Sequence, residues 1–223
     1  METTVIAIDG FASTGKSTLS KRLAAHLGYT YVDTGYMFRV ISFFVLENNW
    51  LIEGEIQVEP LGEALEKIQF SWVDQPNGDK AMAVNGKVYG EELRTTKVSN
   101  LVSQVATIPA VRKHLLQQQR ALSKATSVVM DGRDIGTVVF PNAQFKFFLT
   151  ATPEIRAQRR YEEMQTKGIE GSYEEVLANV MERDHIDSTR AVAPLKQAND
   201  AIAIDTSALS VEEVFALLCQ NLA

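Results

Sequence analysis

One short segment near the start of the chain has the residue types that bind a nucleotide phosphate. Residues 10–17 read Gly-Phe-Ala-Ser-Thr-Gly-Lys-Ser, which fits the pattern G-x-x-x-x-G-K-[ST] of a phosphate-binding loop, or P-loop. Backbone N–H groups of such a loop face an anion. Lys16 would place a charge at the β- and γ-phosphates, and the Ser17 hydroxyl would reach Mg²⁺. The segment therefore predicts the binding of a nucleoside triphosphate.

The segments on either side of this loop have the patterns that would position it. Residues 3–9 are mainly apolar and predict a buried strand, and residues 18–27 carry apolar side chains at helical spacing. A strand that turns through glycines into a helix leaves N–H groups unpaired at the positive end of the helix dipole. This context favours an anion site over the alternative, a chance glycine turn before a helix.

The rest of the chain alternates predicted strands with predicted helices. Further core strands are predicted at residues 29–33, 127–131, 145–150 and 201–205. Helices are predicted at residues 36–49, 91–103, 111–122, from 153 onward, 173–185 and 211–222. Such alternation predicts an α/β fold in which helices flank both faces of a parallel five-stranded sheet.

Residues 51–90 differ in character from this pattern. A short helix at 60–68 precedes two alternating segments, 69–73 and 80–84, with a predicted turn at 75–79 between them. Asn-Gly at 85–86 is a strong hairpin signal. We expect a small antiparallel insertion in this part of the chain. The glycine-containing segment 167–172 predicts a mobile loop.

Composition limits the classes of protein to which the chain can belong. Its 223 residues suit one α/β domain with an insertion. A formal net charge of −6 argues against a general nucleic-acid binder. The single cysteine cannot form an intrachain disulfide, no histidine has metal-ligand spacing, and neither a signal peptide nor a membrane span is evident. We expect a cytoplasmic monomer with neither nucleic acid nor membrane as partner.

Polar residues follow several of the predicted core strands. In a parallel sheet of this kind, ligands bind at the carboxyl ends of the strands. The polar strand ends are Asp9, residues 33–35, residues 131–134, Thr150 and residues 205–207. Asp131 follows three apolar residues and resembles the acidic residue that helps to hold Mg²⁺ in P-loop proteins. The alternative is an aspartate that caps a turn.

Arginines are the second signal of an anionic ligand. Arg39 and Arg133 lie close to predicted strand ends, and an arginine can bind a phosphate through two parallel hydrogen bonds. Others lie on predicted helices, where solvated faces with i,i+4 ion pairs are the alternative. Residues 183–190 combine acids, which suit ribose hydroxyls, with arginines, which suit phosphates, although a charged helix end would read in the same way.

Four stretches of this chain resemble the bacterial cytidylate kinases, a family of nucleoside monophosphate kinases, and the resemblance spans nearly the whole length. They are residues 33–35 with Arg39, residues 94–106, residues 131–141 and residues 190–195. The resemblance implies a P-loop kinase domain over residues 1–223, with a core at 1–33, 105–152 and 191–223. A monophosphate-binding region with an insertion would occupy 34–104, and a helical lid with its flanking helices would occupy 153–190.

The resemblance also implies an activity and a role for each matching residue. The activity would be Mg²⁺-dependent transfer of a phosphoryl group from ATP to CMP or dCMP, giving CDP or dCDP and ADP. Catalytic roles fall to Lys16, Arg133, Arg156 and Arg160. ATP contacts fall to Gly10, Ser13, Thr14, Gly15, Lys16, Ser17, Thr18 and Arg159. CMP contacts fall to Thr34, Arg39, Ser103, Arg112, Arg133, Asp134, Arg183, Asp187 and Arg190. Ser17 and Asp131 would hold Mg²⁺, directly or through water.

The chemistry of the substrates agrees with these implied roles. The acceptor is a phosphate oxygen that is already ionised near neutral pH, so the reaction needs charge stabilisation and positioning more than a general base. Asp134 can accept a hydrogen bond from the cytosine amine, whereas Ser103 and Arg112 can donate to the base. Thr34 stands where the family usually has serine, and the P-loop replaces glycine-containing variants with Ser13-Thr14. Neither change removes a donor.

Three alternatives remain open at this level. The nearest is a P-loop kinase for another small molecule, such as UMP, AMP, shikimate or dephospho-coenzyme A. A GTP-binding switch is less well supported, because the chain lacks D-x-x-G after the second core strand and lacks N-K-x-D. A catalytically inactive P-loop adaptor is disfavoured, because Lys16, Ser17 and Asp131 are all present.

Overall fold

The structure is a computed structural model that describes residues 3–76 and 80–222. Its strands are β1 (Val5–Gly10), β2 (Thr30–Asp33), β3 (Leu51–Ile52), β4 (Glu55–Ile56), β5 (Phe70–Asp74), β6 (Lys80–Val84), β7 (Val128–Gly132), β8 (Phe145–Thr150) and β9 (Ile202–Asp205). Its α-helices are α1 (Lys16–Leu27), α2 (Thr34–Glu47), α3 (Val58–Leu65), α4 (Thr96–Val105), α5 (Pro109–Leu122), α6 (Pro153–Thr166), α7 (Tyr173–Thr189) and α8 (Val211–Gln220). None of the helices described is long and apolar enough to cross a membrane.

The chain forms two compact units. The first comprises Met1–Asp33 and Thr126–Ala223, and the second comprises Thr34–Ala125. The first unit contains the five-stranded sheet with α1, α6, α7 and α8. The second contains α2 to α5 and two short antiparallel strand pairs. The functional roles predicted for the core, the monophosphate-binding region and the lid stay predictions.

The sheet of the first unit has the strand order β2-β7-β1-β8-β9, and every neighbouring pair is parallel. All residues of β1 and β7 are buried, because helices cover both faces of the central strands. Leu19 and Leu23 of α1 pack with Val214 and Leu218 of α8 in the apolar core. The predicted parallel five-stranded sheet flanked by helices is therefore confirmed, and the carboxyl ends of its strands lie along one edge.

The predicted antiparallel insertion is present in the second unit. Strands β5 and β6 pair antiparallel from Phe70 opposite Val84 to Asp74 opposite Lys80. The predicted turn at 75–79 falls partly on residues 77–79, which lie outside the described residues. A second hairpin, β3–β4, was not predicted, because two-residue strands are too short to show alternation. Its turn is marked only by Glu53 and Gly54, which have φ values of 51° and 83°.

Three elements differ from the sequence-based expectations. The helix predicted at 91–103 is a 3₁₀ turn, Glu91–Arg94, followed by α4, because the Thr95 hydroxyl accepts a hydrogen bond from the Val98 N–H and so caps a new helix. Helix α7 continues to Thr189, about one turn beyond its predicted end. Residues Ile135–Val139, for which no element was predicted, form a π-helical turn directly after β7.

Candidate active site

The two glycines of the P-loop each meet a separate steric demand. Gly10 has φ of 146°, and a Cβ atom there would lie 2.1 Å from the Leu149 carbonyl oxygen on β8. Gly15 has φ of 86° and immediately precedes α1, which begins at Lys16. Residues with a side chain rarely adopt positive φ values such as these two. The loop thus leaves β1 and enters α1 at Gly15, which has no side chain to cap the first N–H groups of the helix. This is the geometry of an anion site.

Lys16 is buried at the end of this loop, as the first residue of α1. Its ammonium donates to the Phe11 carbonyl oxygen and lies 3.3 Å from the Thr14 hydroxyl oxygen. Burial, together with the nearby Arg133 charge, lowers the pKa of Lys16 to about 7. Asp131 and Asp9 oppose that change through their negative charges. A bound phosphate would supply further negative charge and would favour the protonated ammonium.

The residues proposed from the sequence to hold Mg²⁺ are in contact. The Ser17 hydroxyl donates to Asp131 Oδ2 at 2.9 Å, and the Tyr31 hydroxyl donates to Asp131 Oδ1 at 2.9 Å. Burial and the adjacent Asp33 raise the pKa of Asp131 to about 6. A hydroxyl and a carboxylate at the end of a P-loop form an all-oxygen donor set. This set fits Mg²⁺, which usually takes one or two protein ligands together with phosphate oxygens and water.

Four of the residues predicted to bind CMP form one chain of ion pairs in the first unit. Arg133 Nε donates to Asp187 Oδ2 at 2.9 Å, and Arg190 Nη1 lies 3.4 Å from Asp187 Oδ1. Arg190 Nη2 lies 3.6 Å from Asp134 Oδ1. Asp134, Asp187 and Arg190 are all buried. The structure therefore brings the end of β7 together with the end of α7, which are more than fifty residues apart in the sequence.

The predicted lid arginines contact protein acceptors in this structure. Arg156, only 2% exposed, forms a bidentate pair with Asp184, donates from Nε to the Ala151 carbonyl oxygen at 2.8 Å, and lies over the Phe11 ring. Arg159 donates to the Thr206 carbonyl oxygen at 2.6 Å. These contacts position two arginines beside the P-loop segment. Their closure over a transferred group stays a prediction.

Two other predicted arginines lie on the same pair of helices. Arg160 follows Arg159 on α6, and burial lowers its pKa. Arg183 is half-buried on α7, one residue before Asp184. Helices α6 and α7 pack through an apolar cluster of their own that includes Ala157, Val176 and Val180. The helical character predicted for 153–190 is present, apart from the loop that joins the two helices.

The remaining predicted residues belong to the second unit. Thr34 is buried at the start of α2, and Arg39 is half-buried on the same helix. Arg112 on α5 is buried, donates to the Ala106 carbonyl oxygen at 3.3 Å and faces the Phe38 ring. Ser103 on α4 is 2% exposed, and its hydroxyl makes no hydrogen bond within residues 3–76 and 80–222. A buried hydroxyl of this kind is unusual and is consistent with a ligand-binding role.

Sequence reasoning missed Tyr31 at this site. It named Asp9, Asp184 and Thr206 only as members of polar strand ends or of a charged helix end, and it did not predict their contacts. Tyr31 orients Asp131, Asp184 holds Arg156, the Thr206 carbonyl binds Arg159, and Asp9 accepts hydrogen bonds from the π-helical turn. Tyr31 has one signal in the sequence, because it lies two positions before Asp33 and therefore on the same face of β2. The other contacts join segments that are distant in the sequence, so no local pattern reveals them.

Comparison with known proteins identifies the family. A sequence model of the cytidylate kinases matches residues 6–223. The chain belongs to the cytidylate kinase family. A cytidylate kinase of Flavobacterium johnsoniae is 50% identical over 221 residues, which cover 99% of this chain and 96% of that relative. A cytidylate kinase of Parabacteroides distasonis is 46% identical over 222 residues, which cover 99% and 97% of the two chains.

Family membership makes this chain a kinase and confirms the resemblance drawn from the four sequence stretches. Family membership therefore favours a cytidylate kinase over the GTP-binding switch and the inactive adaptor. A solved structure of an uncharacterized protein from Eubacterium ventriosum has a TM-score of 0.50 at 13% identity and covers 99% of this chain and 98% of that one. At this identity the likeness concerns the fold alone.

The Arg156–Asp184 pair should contribute strongly to stability. Replacing Asp184 with alanine leaves the buried Arg156 guanidinium without its carboxylate, which should cost about 3 kcal/mol of unfolding free energy. Thermal unfolding followed by circular dichroism should show a lower Tm. The matched control is Glu212→Gln, which removes the carboxylate of another bidentate pair, with Arg22, at the surface. Equal Tm shifts in the two variants would contradict the prediction, because exposed pairs contribute little.

Proposed function

We propose that this protein transfers the γ-phosphoryl group of ATP to CMP, and also to dCMP, to give CDP or dCDP and ADP. One observation carries the proposal. Within a cytidylate kinase chain, the P-loop with its Ser17–Asp131 contact lies in the same unit as the ion-pair chain that contains Arg133, Asp134 and Asp187. The first group suits a triphosphate, and the second suits a phosphate together with a sugar and a base.

The donor half of the site would bind ATP through the P-loop. The N–H groups at the start of α1 and the Lys16 ammonium would contact the β- and γ-phosphates. Ser17 and Asp131 would hold Mg²⁺, which would supply positive charge beside the phosphates. Arg159, which donates to the Thr206 carbonyl oxygen, would line the nucleotide end of this half.

The acceptor half would orient the CMP phosphate oxygen for in-line attack. Arg133 is paired with Asp187 through Nε, and its terminal nitrogens would bind the acceptor phosphate together with Arg39. Thr34 would add a hydroxyl donor, and Arg183, Asp187 and Arg190 would contact the sugar and the phosphate. The acceptor is already ionised, so its positioning rather than its deprotonation would supply the rate enhancement.

Base selection would come from three buried side chains. The Asp134 carboxylate would accept from the cytosine amine, while Ser103 and Arg112 would donate to the ring nitrogen and the carbonyl oxygen. Uracil places a carbonyl oxygen where cytosine has the amine, and that oxygen would face the carboxylate. A site built to accept a particular donor discriminates strongly against an analogue that lacks it.

Arginines of α6 would act on the transferred group itself. Arg156 and Arg160 are proposed to neutralise charge on the phosphoryl group as it moves, and closure of α6 and α7 would exclude water, which competes as acceptor. The pairing of Arg156 with Asp184 fixes the plane of its guanidinium. A cytoplasmic location, a monomeric state and the absence of nucleic-acid and membrane partners remain part of the same proposal.

A panel of nucleoside monophosphates tests the substrate directly. With ATP and Mg²⁺, kcat/KM for CMP should exceed the values for UMP, AMP and GMP by roughly 10²-fold or more, because the alternatives mispair with Asp134. The measurement is ADP release in a coupled assay, with shikimate and dephospho-coenzyme A as further acceptors. Faster turnover of any of these compounds than of CMP would contradict the proposal, and tight GTP binding without turnover would favour a switch.

A further inference from the structure

Asp9 is a buried carboxylate on β1 whose hydrogen bonds join that strand to the turn that follows β7. It is the last-but-one residue of β1 and directly precedes Gly10 of the P-loop. Its exposed fraction is 4%. Its Oδ1 accepts from the Ile135 N–H at 2.8 Å, and its Oδ2 accepts from the Gly136 N–H at 2.7 Å. Both oxygens are therefore engaged by consecutive backbone donors of a segment 126 residues away.

Those donors belong to the start of the π-helical turn Ile135–Val139. The turn closes through the Asp134 carbonyl oxygen, which accepts from the N–H groups of Val138 and Val139 at 2.9 and 3.1 Å. The first N–H groups of any helical turn lack a partner within the turn. Asp9 supplies that partner from β1, whereas an ordinary capping aspartate directly precedes its own helix. Its negative charge also interacts favourably with the positive end of the turn.

The contact leaves little freedom for the turn to shift. A Cβ atom at Gly136 would lie 3.4 Å from Asp9 Oδ2 and 3.1 Å from Lys146 Cδ. Arg133 and Asp134 precede the turn directly, and both belong to the ion-pair chain with Asp187 and Arg190. The backbone that carries these two side chains is thus attached to the residue next to the P-loop.

Burial of the Asp9 carboxylate costs folding free energy. This cost argues that its hydrogen bonds to the turn have a function. Burial raises the pKa of Asp9 to about 7, and the N–H groups of Gly136 and Ile135 oppose that rise. An apolar residue at this position of β1 would avoid the cost of burying a carboxylate. Neighbouring positions of the strand, Ile6 and Ile8, are apolar and buried.

We propose that Asp9 is a positioning residue that fixes the backbone of residues 134–136 against the P-loop strand, so that Arg133 and Asp134 face the acceptor nucleotide in register with the donor phosphates. The inference rests on the proposed function, since it assigns Arg133 and Asp134 to the acceptor. It adds a residue that touches neither substrate and acts through the turn.

Asp9→Asn tests the proposal in two independent ways. An amide keeps one acceptor oxygen and sets an NH₂ group against the second backbone N–H. Hydrogen–deuterium exchange of the peptide that spans 133–139 should become about tenfold faster or more, as expected when a hydrogen bond to a charged acceptor is lost. In steady-state assays, kcat/KM for CMP should fall about 10²-fold, the effect of a misplacement near 1 Å. The KM for ATP should change much less, because Asp9 acts on Lys16 through its charge alone.

The matched control is Asp200→Asn. Asp200 is an exposed carboxylate that pairs with Lys146 Nζ at 2.7 Å, so its loss perturbs the same neighbourhood without removing the anchor of the turn. It should leave both kinetic parameters and the exchange of 133–139 as in the parent. Gly136→Ala is the second test variant. It keeps Asp9 intact, but its methyl group would lie 3.1 Å from Lys146 Cδ and 3.4 Å from Asp9 Oδ2. Crowding against both side chains should shift the turn, so the variant should reproduce the loss with CMP even if Asp9→Asn fails to fold.

The outcomes separate this inference from the proposed function. Unchanged exchange in both test variants, or equal losses with CMP and ATP, would overturn the positioning role. If the parent prefers another monophosphate, the proposed substrate is wrong. The same variants assayed with that monophosphate then decide whether Asp9 positions the acceptor loop.

Discussion

Replacement of Lys16 by methionine should lower kcat for CMP phosphorylation by about 10³-fold, the upper range for loss of one preorganised group that stabilises transition-state charge. Lys16 is buried within the loop, and its ammonium contacts the Phe11 carbonyl and the Thr14 hydroxyl oxygens. Methionine keeps an unbranched stem of similar length and removes the ammonium group, with its charge and its N–H donors. The measurement is ADP release at saturating CMP, with the Tm recorded in parallel.

Lys21→Met is the control for this experiment. Lys21 lies on the same helix, α1, but is exposed, so its charge should not affect the reaction. The Tm of Lys16→Met should equal or exceed that of the parent, because a buried ammonium without phosphate is unfavourable. A Lys16→Met protein as active as the parent would contradict the entire phosphoryl-transfer mechanism proposed for this chain.

Replacement of Asp134 should impair the reaction of CMP, the acceptor, and leave the binding of ATP almost unchanged. We expect Asp134→Ala to lower kcat/KM for CMP by about 10³- to 10⁴-fold, since a buried group that reads the cytosine amine is lost. Binding of ATP, measured by isothermal titration calorimetry in the absence of CMP, should stay as in the parent. Arg190 keeps Asp187 as a partner after the change, so the ion-pair chain is shortened rather than removed.

Asp134→Asn refines the same experiment. An amide at this position can donate to the uracil carbonyl oxygen, so the ratio of kcat/KM for CMP to that for UMP should fall. Asp74→Asn, at an exposed position of β5, serves as the control and should leave the ratio unchanged. Equal losses of ATP affinity and CMP turnover in Asp134→Ala would argue against a base-reading role.

Local patterns in the sequence were sufficient to predict the sheet. Residues 145–150 form a strand with the predicted bounds, because the apolar run Phe147–Leu149 is flanked by a turn and by a proline at position 153. The P-loop could be predicted equally well, because the spacing of its two glycines, Lys16 and Ser17 matches the motif. The β3–β4 hairpin was not visible, because four residues in two strands produce no periodicity.

The supporting contacts of the site could not be predicted in the same way. Tyr31 reaches Asp131 across 100 positions of the sequence, and Asp9 reaches the π-helical turn across 126 and 127 positions. Such pairs arise only when parallel strands align their carboxyl ends. A single sequence identifies which residues carry charge, but it does not show which of them hold one another in place.

The ammonium of Lys16 has one further consequence for nucleotide binding. It is hydrogen-bonded to the loop's own Phe11 carbonyl and Thr14 hydroxyl oxygens. These two oxygens would compete with a bound phosphate for the ammonium, so the affinity for a nucleotide would be the difference between two sets of hydrogen bonds. Removing an internal acceptor need not weaken nucleotide binding, because it also destabilises the empty loop. Nucleotide affinity at this site would therefore depend on the hydrogen bonds within the loop as well as on those to the phosphates.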